Sequence, residues 1–142
     1  MEIDGLTLFS ARLITDTAAL VLIWLVQLVI YPAFLHFQRA GFTVWHRAYT
    51  RRVTYVVLPI MLSQLGVYAY LLFHDFGLLL GVNTALILLV WTITFFRAVP
   101  LHGALDVAED HLPLAAQLVA VNWWRTALWT TVWVVTLITF FV

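Results

Sequence analysis

The chain contains no cysteine. That excludes disulfides, thiolate metal ligands and every reaction run through a Cys pair, quinone reduction by a dithiol among them. Lysine is absent too, so all seven basic residues are arginine, and they balance seven acidic residues to a net charge of zero. With no basic excess there is nothing to draw nucleic acid, and no nucleic-acid partner is expected. Charge of either sign is scarce, at 10% of 142 residues, whereas 64% are hydrophobic and 15% aromatic. This is the composition of an integral membrane protein rather than of a soluble domain. Six glycines and four prolines leave little material for loops, and no internal repeat, low-complexity tract or linker is visible.

Four apolar stretches, at about 13–37, 53–73, 77–96 and 118–141, are long enough to cross a ~30 Å hydrocarbon core, which needs roughly 20 helical residues. The expected fold is therefore all-α, a single integral membrane four-transmembrane-helix bundle over residues 1–142. The opening "MEIDGLTLFSAR" is acidic, and the run behind it is longer than a signal-peptide core and lacks a small-residue cleavage site. It reads as a retained first span. The connection "FHDFG" is so short that the second and third helices must form an antiparallel hairpin, while the other two loops are longer and polar.

Arg39, Arg47, Arg51 and Arg52 crowd the first loop, Arg97 and Arg125 flank the third, and "HDFG" holds no arginine. By the positive-inside rule both long loops face the cytoplasm, which makes the chain a multi-pass protein of the cell (inner) membrane with both termini on the outer side. Arg12 alone runs against this. It sits four residues before Asp16, the spacing of a helical ion pair.

At 100° per residue the polar residues fall into one seam per helix. Asp16, Gln27, Tyr31 and Phe34 share a face of the first, and Met61, Gln64 and Tyr68 a face of the second. Asn83, Thr94 and Arg97 share a face of the third, and Asn122, Arg125, Trp129, Trp133 and Thr136 a face of the fourth. Lipid satisfies none of these groups, so the seams should turn inward. Pro32 and Pro59 should kink the first two helices.

Part of this pattern has a purely structural reading. Gln27, Gln64 and Asn83 serve as interhelical hydrogen-bond glue worth about 0.6–2 kcal/mol each. Arg97 and Arg125 snorkel or pair with Asp106 and Glu109, tryptophans other than the deep Trp129 and Trp133 form interfacial belts, and His74 is a turn residue. Co-location argues for more. The first loop supplies "VWHRAYTRR", with His46, Tyr49 and Arg51, and the third supplies "PLHGALDVAEDH", in which His102, Asp106 and Glu109 follow helical spacing. His46, His102, Arg125 and Asn122, drawn from separate segments, are the candidate catalytic residues. Gln27, Tyr31, Gln64, Trp129 and Arg51 are candidate ligand contacts in a pocket open to the cytoplasm or inner leaflet, floored by Gln27 and Gln64 and walled by aromatics. Its expected partner, besides membrane lipid, is a lipophilic aromatic or quinone-like small molecule.

The order "YPAF" at the end of the first helix, "WHRAYTRR" before the second, "VPLHGALD" after the third and "NWWRT" opening the fourth resembles the anthrone oxygenase-like family of small four-helix membrane proteins. The resemblance implies an oxidoreductase that uses oxygen to convert an activated methylene of a polycyclic phenol to a quinone. No cofactor is strictly required for such chemistry. His46 or His102 would act as base, and Arg125 with Asn122 as anion stabiliser. His102 stands where the family pattern carries Asn, which opens an alternative: a metal or haem redox protein in which His46, His102, Asp106 and Glu109 supply ligands suited to iron, manganese or zinc. A third expectation is a non-catalytic accessory subunit, with the polar face as the interface of a homo-oligomer or larger membrane complex.

Overall fold

The computed structural model describes residues 5–141. Every element is helical, with no strand among the described residues. Four long helices carry the fold: α1 (Gly5–His36), α2 (Arg39–His74), α3 (Leu78–Val107) and α4 (Leu112–Phe141). The first three are long and apolar enough to cross a membrane, with mean hydropathies of 2.3, 1.9 and 2.1 over their apolar 18-residue stretches. α1 packs against α2 and α4, α4 also against α3, and α2 against α3.

The helices outrun the apolar stretches. Of residues 38–52, expected as a polar loop, all from Arg39 on form the first turns of α2, and the segment after residue 96 continues α3 to Val107. Hydropathy falls where charge begins, but "VWHRAYTRR" and "LHGALDV" contain no strong helix breaker beyond one glycine, so the backbone stays helical. The two long loops thus shrink to short links around residues 37–38 and 108–111, and the polar residues ride on helical extensions with fixed directions. Gly41, at φ 95, and Ala40, at ψ 108, bend the start of α2. Gly41 occupies a left-handed conformation that suits glycine, and a Cβ there would meet nothing within 4 Å, so only backbone strain resists substitution. The short turn between His74 and Leu78 makes the expected hairpin of α2 and α3.

Pro59 produces no break: the non-helical dihedrals in α2 are those of Ala40 and Gly41 alone. Pro32 is accommodated differently. Val26–Ile30 forms a π-helical turn just before Tyr31-Pro32, and Thr94–Ala98 forms a second just before Val99-Pro100. A proline cannot donate to the carbonyl four residues back and crowds it, here Leu28 and Phe96. The wider π turn relieves both problems and, by adding one residue, rotates the rest of the helix by about 100° relative to an unbroken one.

The inward seams are present except at Arg97, which is exposed, the π turn at Thr94–Ala98 having interrupted the helical phase it was assigned from. Asp16, Gln27, Gln64, Asn83, Asn122, Arg125, Trp129 and Thr136 are all buried. Trp129 sits in an apolar layer with Ala19, Ile23, Met61 and Val90, midway between two polar networks. At the end carrying the α2–α3 turn, Asp16 accepts from Gln64 Nε2 (2.7 Å), Tyr68 Oη (2.7 Å) and Thr136 Oγ1 (2.6 Å). Asn83 Nδ2 donates to Thr136 Oγ1 at 3.0 Å and to the Val132 carbonyl at 3.0 Å. Arg12 does not pair directly with Asp16, as its spacing suggested. Its Nε donates to Tyr68 Oη at 3.0 Å, and Tyr68 in turn donates to Asp16, so the charges are bridged by a phenol.

Candidate functional site

At the opposite end, the two π turns bring Tyr31 of α1 and His102 of α3 together, with Tyr31 Oη 2.9 Å from His102 Nε2. His102 Nδ1 lies 2.9 Å from His46 Nε2, and His46 Nδ1 lies 2.7 Å from Asp106 Oδ1. Asp106 Oδ2 accepts from exposed Arg47 Nε at 3.3 Å. The carboxylate is an acceptor, so it assigns the direction of the whole chain. His46 carries its proton on Nδ1 and leaves Nε2 bare, His102 donates Nδ1–H to that nitrogen, and His102 Nε2 accepts the Tyr31 hydroxyl. Four side chains from three helices form one line of donors, all pointing from Tyr31 toward Asp106.

Aromatic packing fixes the rings. Phe34, fully buried, meets Trp45, His46, Tyr49 and His102 edge-on at centroid distances of 5.4 to 6.2 Å. Phe42 stacks on His46 at 5.2 Å and on His111 at 4.0 Å. His111 Nε2 donates to the Phe34 carbonyl at 3.2 Å, tying the end of α1 to the start of α4. The imidazoles therefore stand in a water-poor cage that holds their planes.

Tyr31 and His102 also line a cavity of about 280 Å³, with Tyr49, Met61, Arg125 and Trp129 among its walls and aliphatic side chains such as Val26 and Val57 completing them. Arg125 is the only arginine, and no carboxylate lines it, among the described residues. Its Nη1 donates to Asn122 Oδ1 at 2.9 Å, Asn122 Nδ2 donates to Gln27 Oε1 at 2.9 Å, and the guanidinium lies 5.4 Å from the Trp129 ring centroid. Arg125 Nε is buried with no partner among the described residues. The guanidinium, which cannot lose its proton, is thus held by neutral groups at the wall of an apolar cavity.

Most of the candidates from the sequence meet here: His46, His102, Tyr31, Asp106, Arg125, Asn122, Gln27 and Trp129. Gln27 and Gln64 do not form the cavity floor. Gln27 stands behind Asn122, and Gln64 belongs to the Asp16 network and accepts from Trp129 Nε1 at 3.0 Å. Arg51 is exposed and outside the lining, because it falls on the far side of α2 from His46. The pairing of Arg125 with Asp106 or Glu109 does not occur: Asp106 is taken by His46 and Arg47, and Glu109 is exposed in the link before α4. As a metal set, His46, His102 and Asp106 are strung in a line with ring nitrogens facing one another, and no group of three ligands among the described residues could hold a metal ion. Tyr49, noted beside His46 in the first loop, lines the cavity, and Arg47 joins the site as well. Tyr49 follows His46 by three residues, a helical neighbour spacing, whereas Arg47 as the partner of Asp106 has no signal in the sequence. Comparisons with protein-family models, with curated proteins and with solved structures return no match.

Proposed function

We propose that this protein is a four-helix integral membrane oxidoreductase of the oxygenase type, which removes a proton from a lipophilic aromatic carbon acid and passes the carbanion to dioxygen. Helices of 30 to 36 residues, about 45–54 Å long, exceed a ~30 Å hydrocarbon core and carry the arginine-rich ends into the aqueous layer. In the cell (inner) membrane the His46–His102 end faces the cytoplasm, following the arginine asymmetry, and both termini lie outside.

The observation that carries the reading is the one-way line of hydrogen bonds leading from the cavity to a carboxylate at the rim. Tyr31 Oη accepts a proton from the substrate methylene as it yields its own to His102 Nε2. His102 passes its Nδ1 proton to His46 Nε2, and the result is an imidazolium held against Asp106. Arg125 stabilises the enolate oxygen in a cavity from which aromatic walls exclude water. The carbanion gives its electron pair to dioxygen, forming a C–O bond and a peroxide anion. Loss of the second methylene proton with cleavage of the O–O bond leaves a carbonyl and hydroxide, and the hydroxide takes back the stored proton. Methylene and dioxygen become carbonyl and water, a four-electron oxidation matched by a four-electron reduction.

Oxygen uptake by protein purified in nonionic detergent, with an anthrone as probe, tests this. One oxygen consumed per carbonyl formed is expected, with a fall of about 10²-fold or more in His102→Ala. Uptake no faster than in detergent alone overturns the reading.

A further inference from the structure

A second cavity, of about 440 Å³, opens at the other end of the helices, beside the α2–α3 turn. Its walls include Leu8, Leu71 and Leu80, and its polar lining is Arg12, Thr139 and Asp75. Arg12 is only 7% exposed, Nε is used on Tyr68 at 3.0 Å and Nη1 on Thr139 Oγ1 at 3.3 Å. Nη2 has no partner among the described residues. No carboxylate lies within ion-pair distance of Arg12 among them either, since Asp16 spends Oδ1 on Gln64 and Oδ2 on Tyr68 and Thr136. A guanidinium keeps its proton even when poorly hydrated, so a buried one with a free N–H beside an apolar cavity calls for an external acceptor.

We propose that this cavity binds a monoanionic amphiphile, with its head, a carboxylate or a phosphodiester, on the Arg12 guanidinium and Thr139, and its alkyl chain along Leu8, Leu71 and Leu80. Asp75, exposed and on the cavity wall, sets the charge limit. One negative charge is drawn by Arg12, whereas a second meets like charge at Asp75. In the topology proposed above this end faces the outer leaflet, from which such a molecule enters without crossing the membrane. The site shares no residue with the His46–His102 line and stands independently of the oxygenase reading.

Native mass spectrometry of the full chain in nonionic detergent tests it, with oleate, phosphatidylglycerol and phosphatidylcholine as probes. One bound oleate or one bound phosphatidylglycerol is expected, and which of them is retained identifies the head group. Phosphatidylcholine should be retained at least tenfold less. Arg12→Gln should reduce binding of the retained probe at least tenfold. Because that change also touches the Asp16 network, Leu79→Trp, which fills the cavity from a partly exposed wall position, is the second variant. It should lose binding with its melting temperature unchanged, and Asp75→Asn should gain binding of the same probe two- to fivefold. Retention of neither anion, equal retention of phosphatidylcholine, or full binding in Leu79→Trp overturns the proposal.

Discussion

Asp106→Asn tests the direction of the hydrogen-bond line without needing the substrate. The carboxylate accepts His46 Nδ1–H at 2.7 Å and so holds both imidazoles in one tautomer. An amide offers a donor as well as an acceptor, which frees His46 to protonate Nε2 and turn the bond to His102 around, leaving Tyr31 facing an N–H. In wild-type protein ¹⁵N-histidine spectra should show His46 and His102 both protonated at Nδ1, assigned against His46→Gln and His102→Gln. In Asp106→Asn the His46 signal should shift toward the Nε2–H form. A hydrogen bond to a charged group contributes about 1.5–3 kcal/mol. If that stabilises the His46 imidazolium, the proton-abstraction step slows roughly 10- to 150-fold. The structural cost is small by comparison: the Asp106 side chain is 24% exposed and Arg47, its other partner, 63%, so the ion pair contributes about 1 kcal/mol or less. Asp106→Glu should recover part of the rate, because the carboxylate acts by positioning His46 rather than by touching substrate. Nε2 protonation of His46 in the wild type would refute the assigned direction. Turnover within twofold of wild type in Asp106→Asn would refute its role.

Arg125→Gln should abolish retention of the anthrone probe while moving the melting temperature by only a degree or two, since Arg125 pairs with no carboxylate that would be stranded; a large fall would mean the guanidinium is structural. Tyr68→Phe removes a hydroxyl that donates to Asp16 and accepts from Arg12 Nε, leaving a buried cation short of an acceptor, and should cost about 3 kcal/mol in thermal unfolding. The absence of cysteine gives a clean background for labelling: a Cys placed at position 47 should resist a membrane-impermeant maleimide in intact cells and one at position 75 should react, and the reverse pattern would invert the topology.

The first three helices are legible in the sequence because length and apolarity alone define them, and the inward seams because 3.6-residue periodicity sorts Gln27, Gln64, Asn83 and Trp129 to one side each. Helix ends are not, since hydropathy marks where charge starts and not where the backbone stops being helical, and so the first turns of α2 read as loop. The site shows the same division. His46, His102 and Asp106 stand out as residue types near one another, but their linear order, His102 inside and Asp106 at the rim, depends on the rotation that the two π turns impose. Nothing in "VQLVIYP" or "TFFRAVP" beyond the proline announces that rotation. Arg125 is visible as a charge in need of an acceptor, whereas the choice between Asp106 and a ligand requires knowing that His46 and Arg47 already hold the carboxylate.

The two polar networks raise the question of a continuous path through the protein, and Trp129 answers it. Its indole N–H goes to Gln64 Oε1, on the Asp16 side, and its ring face goes to Arg125, on the His102 side. An indole N–H donates but does not relay, and the amides of Gln64 and Gln27 exchange protons far too reluctantly to substitute for an imidazole. Around it Ala19, Ile23, Met61 and Val90 leave an apolar layer with no titratable group among the described residues. On the proposed reading, a proton taken up at Tyr31 passes through His102 and His46 to Asp106, and the charge separation stays at that end of the helices. Asp16, with three donors at 2.6 to 2.7 Å, anchors the network on the far side of that layer. Its hydrogen bonds tie α1 to α2 and α4, so the layer under the cavity is rigid. On the proposed reading, a rigid, insulated floor suits the site, because water reaching a carbanion there would quench it.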